Sequence, residues 1–349
     1  MKRVVVTGES QCGLEDFDDP GVAENYAKIK IHSAPLCTEF HVFLRGMKRP
    51  LGGHEAAGEV VEIGPAVTMV KPGDRVVVMP QSGCGVCDLC TSGDHIYCPD
   101  KKDPKEICGN ETGTATLGQY CVQQDWLLVP IPDDISYDHA SMACCGMGPG
   151  FNANQTMQVM PTDTVLISGL GPVGLGTAIT ALYRGARVLG LEMNPYRVAL
   201  AKDMGVEAVV DPTSEDALDE IMELTDGKGV DKSVECSSVE TAPEFLVQAA
   251  ALRGHIASPG WGGPLNARDV NRKGLTVHGC WHWNHQRDGS VMMGTIRGAA
   301  SLLDKVITHT FPFSEVQQAL ETRASNQCGK VILHPQEPSA GGCSPTADA

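Results

Sequence analysis

The chain has 349 residues, of which 42% are hydrophobic and 20% are charged, and its formal net charge is −16 at pH 7. This length suits two globular domains, and no apolar run approaches the ~20 residues that a membrane-spanning helix needs. So acidic a surface would repel the phosphate backbone of nucleic acids. With an N-terminus too short for a secretory signal, we predict a cytoplasmic protein whose partner is a small molecule, not a membrane or nucleic acid.

The first 150 residues are predicted to form a β-rich domain. Short valine-rich runs at residues 4–6, 58–63 and 75–79 alternate with turn signals, such as Pro-Gly-Asp at 72–74. Such runs between turns are typical of short strands.

Three segments of this first domain carry candidate ligands of a catalytic metal. Cys37 lies in the first segment, His54 and Glu55 form a pair in the second, and Cys144 and Cys145 are adjacent in the third. Two thiolates and a neutral imidazole, with a fourth position left open, make a catalytic zinc site. Glu55 would either ligate the metal transiently or orient a ligand. At this level, either Cys144 or Cys145 can be the third ligand.

A second metal site is predicted between residues 84 and 98. Its four cysteines have the spacing C-x2-C-x2-C-x7-C and are Cys84, Cys87, Cys90 and Cys98. Four thiolates this close together can enclose one tetrahedral Zn²⁺ and stabilise a loop that has little core of its own. We therefore predict a closed, structural zinc site.

Beyond residue 150, apolar strand candidates alternate with helix-like stretches, which predicts βαβ units and a doubly wound parallel sheet. The predicted strands are residues 165–168, 188–192, 208–211, 232–236, 255–258 and 275–280. The predicted helices between them are residues 172–184, 195–204, 215–224 and 242–252.

A glycine-rich turn follows the first of these strands. Its GxGxxG residues are Gly169, Leu170, Gly171, Pro172, Val173 and Gly174. In such a turn the glycines let a pyrophosphate approach the backbone, and the N-terminus of the next helix attracts it. Glu192 ends the next strand, where a carboxylate binds the adenosine ribose and repels a 2′-phosphate. This favours NAD over NADP, although Arg197 nearby is able to hold a 2′-phosphate.

The last part of the chain is predicted to return to the first domain. A helix is expected at residues 313–324 with Ser314 as its N-cap, followed by a strand at 330–333. The predicted domains are thus residues 1–150, residues 151–288 and a return at 289–334. The remainder, 335–349, is rich in Pro, Gly, Ser and Ala and is predicted to be disordered.

Together, and in this order, these motifs resemble the zinc-containing medium-chain alcohol dehydrogenase family over residues 1–334. The resemblance implies a GroES-like catalytic domain, a Rossmann domain, an active-site cleft between them, and homodimers or homotetramers. Members with this four-cysteine lobe and this length often resemble polyol, sugar or threonine dehydrogenases.

The sequence departs from the family pattern at the first ligand. The family has Cys, any residue, Thr or Ser, then Asp, whereas here Cys37 is followed directly by Thr38 and Glu39. Aligning on Thr38 would place Leu36 at the ligand position, and leucine cannot bind a metal, so we prefer Cys37. For the third ligand, alignment on the following helix favours Cys145, and alignment on the preceding residues favours Cys144.

We therefore predict a dehydrogenase that passes a hydride between a secondary alcohol and NAD, with Thr38 or His41 carrying the proton to solvent. The predicted substrate is a polyol, sugar or cyclitol. Candidate cleft residues for such a ring are Phe43, Trp126, Trp281, His282, Trp283 and Asn284. Two alternatives stay open: a threonine-type amino-alcohol dehydrogenase, and a non-catalytic NAD-binding protein that lacks the catalytic zinc. A zinc-free quinone reductase is disfavoured by Cys37 and His54 together.

Overall fold

The structure is a computed structural model that describes residues 1–109, 114–260 and 262–336. The predicted disordered tail therefore lies outside the described residues, except for Pro335 and Gln336. Within the described part of the chain, no helix has the length and apolarity needed to cross a membrane.

The first region is built mainly of antiparallel strands. Its strands are β1 (Lys2–Gly8), β2 (Gln11–Asp16), β3 (Tyr26–Pro35), β4 (Arg49–Pro50), β5 (Ala56–Ile63), β6 (Arg75–Val78), β7 (Tyr120–Gln124) and β8 (Leu128–Pro130). Its helices are short: α1 (Phe40–Leu44), α2 (Asp88–Thr91), α3 (Pro104–Cys108), α4 (Tyr137–Ser141) and α5 (Gly148–Thr156). Strand β3 is central, because β5 and β7 both pair with it in antiparallel register.

The second region is a six-stranded parallel sheet in the order β11-β10-β9-β12-β13-β14. The strands are β9 (Thr164–Ser168), β10 (Arg187–Leu191), β11 (Ala208–Val210), β12 (Val230–Glu235), β13 (Ala250–Ser258) and β14 (Thr276–Gly279). The helices are α6 (Pro172–Tyr183), α7 (Pro195–Met204), α8 (Ala217–Leu224), α9 (Ala242–Ala249) and α10 (Ala267–Lys273). The strand order reverses between β9 and β12, which is where doubly wound sheets bind their ligands.

The chain then returns to the first sheet. The returning elements are α11 (His285–Gly298), α12 (Ala300–Val306), β15 (Ile307–Pro312), α13 (Val316–Ala324) and β16 (Lys330–His334). Strand β15 is parallel to β16, and β16 pairs antiparallel with β3. The sheet that contains β3 is thereby completed by residues that lie some 300 positions later in the chain.

The predicted fold class is confirmed, and two local predictions are wrong. The helix expected at 242–252 ends at Ala249, because Ala250 is already extended and pairs with Val230 of β12. Ser314 is not an N-cap: it lies inside a single 3₁₀ turn, Phe313–Glu315, and α13 begins one residue later with Glu315 at the N-cap.

Close contacts at two glycines, Gly176 and Gly150, bring the two regions together. A Cβ at Gly176 of α6 would collide with the carbonyl oxygen of Gly146, and a Cβ at Gly150 of α5 would collide with Thr177. These contacts need residues without side chains. They place the helix that follows the glycine-rich turn against the segment that carries Cys145.

Candidate active site and metal centres

The structure brings together four of the predicted ligands of the catalytic metal. Donor atoms of Cys37, His54, Glu55 and Cys145 all lie within 4.8 Å of one another. Cys37 follows β3, His54 and Glu55 immediately precede β5, and Cys145 lies between α4 and α5. Two thiols and an imidazole are a donor set that zinc prefers, and their proximity fits a single tetrahedral ion.

The two adjacent cysteines have different surroundings. Cys144 is fully buried, and its Sγ lies 3.3 Å from the carbonyl oxygen of Val78, outside the cluster of donors. The Sγ of Cys145 faces Cys37, and Leu36 is buried in the core of the first region. The geometry therefore favours Cys37 and Cys145 as ligands, with Cys144 as a small core residue.

Glu39 holds two of these ligands in place, a role that the sequence analysis did not assign. Its Oε1 lies 2.7 Å from Nδ1 of His54, and its Oε2 accepts a hydrogen bond of 2.8 Å from the backbone N–H of Cys37. A carboxylate on one ring nitrogen fixes the tautomer that leaves the other free to bind a metal. The only available signal was its position, two residues after Cys37.

Glu55 is also held by a distant residue. Its Oε1 lies 2.6 Å from Nζ of Lys330, and its Oε2 accepts a hydrogen bond from the N–H of Gly146 at 3.2 Å. Burial raises the pKa of Glu55 to about 7, although the charge of Lys330 opposes this rise. Glu55 thus connects β5, β16 and the segment of Cys145 behind the ligand cluster.

The ionisation of the cluster suits a metal. A hydrogen bond from Cys145 and the proximity of His54 and Lys330 hold the pKa of Cys37 well below its usual range. Burial lowers the pKa of His54, but hydrogen bonds with Cys37 and Glu39 outweigh it and raise that pKa to about 11. A proton therefore occupies the cluster when no cation does, and binding zinc would release it.

Thr38 and His41 are not brought into the cluster. Both are exposed, and the ring of His41 lies against Phe40, with 4.0 Å between ring centroids. After Cys37 the chain enters α1, where the carbonyl of Thr38 accepts the N–H of His41, and it is Glu39 and Phe40 between them that are buried. The proposed proton-carrying roles of these two residues find no support in this geometry.

The four cysteines of residues 84–98 form a second donor cluster. Their sulfur atoms lie within 4.8 Å of one another, with 3.9 Å between Cys84 and Cys90 and 3.8 Å between Cys87 and Cys98. Backbone N–H groups of Val86 and Cys87 lower the pKa of Cys84 to about 6. Such a thiol is ionised at neutral pH and ready to bind a metal. We refer to residues 84–98 as the four-cysteine lobe.

A cleft of about 520 Å³ lies at the carboxyl ends of β9, β10 and β12. Among the predicted cofactor-binding residues, Gly169, Gly171, Glu192 and Arg197 line it. The GxGxxG turn is close-packed: Gly169 has a φ of +83°, and a Cβ at Gly174 would collide with the carbonyl oxygen of Gly169. Gly171 is the N-cap of α6, whose free N–H groups suit a pyrophosphate.

The remaining residues of the turn, Leu170, Pro172 and Val173, hold the backbone around this cleft. Leu170 is buried and donates its backbone N–H to Oε2 of Glu192 at 3.0 Å, while Pro172 and Val173 form the first turn of α6. The guanidinium of Arg197 donates to Asn326 at 2.7 Å and lies 3.8 Å from Glu192. Arg197 is thus already engaged by two partners at the edge of the cleft.

The structure contradicts the predicted lining of the substrate cleft at two of the six residues. Phe43 and Trp283 are buried in hydrophobic cores, where they fill space. Trp126 packs partly against the same core as Trp283, and Trp281 is 43% exposed. His282 differs, because its Nε2 lies 3.9 Å from the Sγ of Cys145.

A smaller cavity of about 180 Å³ opens beside His54. It is lined in part by Gln81, Thr116 and Lys101. Both polar atoms of the Gln81 amide and the hydroxyl of Thr116 are buried without a hydrogen-bond partner. Unsatisfied buried polar groups are costly, so groups of this kind beside a candidate metal site suit a polar ligand.

Comparisons with known proteins agree with this geometry. Residues 23–133 match the family model of the alcohol dehydrogenase GroES-like domain, and residues 172–296 match that of the zinc-binding dehydrogenase domain. Sorbitol dehydrogenase of Bacillus subtilis is 27% identical over 96% of this chain and 97% of its own length. L-threonine 3-dehydrogenase of Alteromonas mediterranea is 33% identical over 95% of this chain and 99% of its own length.

A solved structure gives the same fold. Alcohol dehydrogenase TADH from Thermus sp. ATN1 superposes with a TM-score of 0.84 at 20% identity, over 96% of this chain and 99% of that chain. The predicted family resemblance and the predicted enzyme class are confirmed. This chain belongs to the zinc-containing medium-chain alcohol dehydrogenase family and is an oxidoreductase acting on CH–OH groups.

Proposed function

We propose that this protein oxidises the secondary hydroxyl of a polyol, sugar or cyclitol, with NAD as the hydride acceptor. The observation that carries the proposal is the cluster of Cys37, His54 and Cys145 beside a cavity that contains unsatisfied polar groups. A zinc ion there would lower the pKa of the reacting hydroxyl, and NAD in the neighbouring cleft would accept the hydride.

The residues of this chain would supply positioning around that chemistry. Glu39 orients His54, and the pair of Glu55 and Lys330 fixes the backbone next to Cys145. Since Thr38 is exposed, we propose that the proton leaves through water in the cavity beside His54, not through Thr38.

NAD is favoured over NADP by the surroundings of Glu192. Its carboxylate lies at the rim of the cleft and is held there by three backbone N–H groups, those of Leu170, Met193 and Asn194. A 2′-phosphate next to this fixed negative charge would be repelled. Arg197, the residue able to compensate, is engaged by Asn326.

A polyhydroxylated substrate is favoured by Gln81 and Thr116. An amide offers both donors and an acceptor, and a hydroxyl offers one of each, so the two complement substrate hydroxyls next to the reacting carbon. The similarity to sorbitol dehydrogenase is in keeping with such a substrate.

A second candidate is an amino alcohol of the threonine type. Lys101 lines the same cavity, and its ammonium would suit a substrate carboxylate. Two L-threonine 3-dehydrogenases are 33% and 31% identical to this chain, compared with 27% for sorbitol dehydrogenase.

Zinc content and substrate profiling test the proposal together. We expect about two zinc ions per chain, and NADH formation with polyols, sugars or cyclitols exceeding that with L-threonine. Lys101→Ala separates the two candidates, because it should raise the KM for L-threonine, whose carboxylate Lys101 would bind, and leave that for a neutral polyol unchanged. About one zinc ion per chain and no turnover would instead favour the non-catalytic NAD-binding protein.

A further inference from the structure

Residues 282–286 connect the two candidate metal centres, and we call them the linking segment. At one end, His282 Nε2 lies 3.9 Å from Cys145 Sγ. The next residue, Trp283, donates its indole N–H to the carbonyl of Ala143 at 2.8 Å. Two consecutive side chains therefore contact the loop that carries Cys145.

The other end of the linking segment contacts the four-cysteine lobe. Asn284 Nδ2 donates to the carbonyl of Ser92 at 2.6 Å, and Gln286 Nε2 lies 3.1 Å from Nε2 of His95. Ser92 and His95 both fall between Cys90 and Cys98, within the loop that would enclose the metal. The position of the linking segment is thus tied to that of the lobe by direct contacts.

These contacts leave little freedom. His282, Asn284 and His285 are all buried, and a Cβ at Gly93 would collide with the Asn284 amide. Asn284 is also the N-cap of α11, because its Oδ1 accepts the N–H of Arg287 at 3.0 Å. A shift of the lobe would therefore be transmitted to Asn284, and from there to His282 two residues away.

The ring of His282 can orient the sulfur of Cys145. A hydrogen bond from a neighbouring group holds a metal ligand in the position that binding requires. Nδ1 of His282 is buried without a partner, so a proton on Nε2 is the tautomer that makes a hydrogen bond. That hydrogen bond is possible only while the linking segment holds the ring against Cys145.

We propose that the four-cysteine lobe positions the ligand Cys145 through residues 282–286, with His282 as the positioning residue that donates to the Cys145 sulfur. A lobe of this kind depends on its metal for its structure. The metal of the lobe would therefore control how firmly the catalytic site binds the catalytic metal. The inference rests on the metal assignment of the proposed function, and it needs no knowledge of the substrate.

The first test breaks the link and keeps the helix cap. Asn284→Asp retains the oxygen that caps α11, but it replaces the donor to Ser92 with a carboxylate facing Asp94. We expect zinc to leave the catalytic site about tenfold faster, measured with a chromogenic chelator. The phase that belongs to this site is the one that Cys145→Ser abolishes.

Asn266→Asp is the matched control. Asn266 likewise caps a helix, α10, by accepting the N–H of Arg268, and it makes no contact with the lobe. Its zinc release should equal that of the wild type. If Asn284→Asp also releases zinc at the wild-type rate, the link carries no coupling and the inference is wrong.

A second pair of variants tests His282 and leaves the lobe intact. His282→Leu removes the donor to Cys145, whereas His282→Gln keeps an N–H in reach. In cobalt-substituted protein we expect the thiolate-to-cobalt charge-transfer band of the catalytic site to shift in His282→Leu and to return towards the wild type in His282→Gln. A band unchanged by His282→Leu would overturn the role of His282. A wild type with about one zinc ion would instead overturn the metal assignment itself.

Discussion

The ammonium of Lys330 lies 2.6 Å from the carboxylate of Glu55, and both side chains are fully buried. Glu55 precedes β5 and Lys330 begins β16, so this ion pair joins the two ends of the first region directly behind the ligand cluster. Burying two charges is costly. The pair is tolerated because the two charges neutralise each other and the N–H of Gly146 donates to the second carboxylate oxygen of Glu55.

Lys330→Met should therefore destabilise the protein by about 3–5 kcal/mol, since it leaves Glu55 buried without a counter-charge. The pKa of Glu55, already raised to about 7 by burial, would rise further and leave the side chain neutral. Urea denaturation measures the loss. The double variant Glu55→Gln, Lys330→Met should recover much of the lost stability. A double variant as unstable as Lys330→Met alone would show that the loss comes from packing and not from the unpaired charge.

Cys145→Ser and Cys144→Ser form a pair that tests the ligand assignment. Serine is a poor zinc ligand, so Cys145→Ser should lower the zinc content from about two ions per chain to about one. Cys144→Ser should keep both, because Cys144 faces the carbonyl of Val78, to which a serine hydroxyl can donate. Elemental analysis decides, and loss of zinc from the Cys144 variant alone would reverse the assignment.

The parts of the fold that follow from local patterns could be predicted from the sequence. The alternation of apolar strands and helices predicted all six strands β9–β14, because each βαβ unit is local. The four-cysteine lobe follows from a spacing within 15 residues, and the GxGxxG turn from six. The helix boundary at Ala249 was missed because the sequence remains apolar where the backbone changes to a strand that pairs with β12.

The residues that orient the ligands could not be predicted, because their partners are distant in the chain. Lys330 reads only as the first residue of a short strand, and its partner Glu55 is 275 residues earlier. His282 reads as one of several aromatic residues until the fold places it against Cys145. Trp283, predicted from the same run to line a cleft, is buried because its indole binds the backbone of Ala143.

The pair of His334 and Asp138 should make stability depend on pH. The hydrogen bond to Asp138 raises the pKa of His334. The stability that His334 contributes is therefore fully present below about pH 6.5 and is lost as the pH rises through the raised pKa. Burial raises the pKa of Asp138, but hydrogen bonds from His334 and Ser33 outweigh it and lower that pKa. Its contribution is present above about pH 4 and is lost as the pH falls through the lowered value.

His334→Gln isolates this effect. Between about pH 6 and about pH 9, the wild type should lose up to about 1 kcal/mol more unfolding free energy than the variant, because the pair is partly exposed and screened. Denaturant titrations at both pH values measure the difference. Equal losses in the two proteins would show that the pair contributes nothing measurable.

Glu192→Gln should weaken the preference for NAD. The amide keeps one oxygen for the backbone N–H groups and removes the charge that would repel a 2′-phosphate. We expect the ratio of kcat/KM for NADP to that for NAD to rise about tenfold, equivalent to about 1.4 kcal/mol. Arg197→Gln is the control, because it should not raise this ratio, and an unchanged ratio in Glu192→Gln would mean that the charge does not select the cofactor.

Gln81→Leu should separate stability from substrate binding. The Gln81 amide is buried without a partner, so replacing it with an apolar side chain of similar volume should raise the unfolding free energy, by about 1–3 kcal/mol. If the amide binds a substrate hydroxyl, the same change should raise the KM for a polyol about tenfold and leave the KM for NAD unchanged. Thr116→Val, which removes the other unpartnered group, should act in the same direction. A more stable Gln81→Leu enzyme with an unaltered KM would show that the cavity beside His54 does not recognise the substrate through this amide.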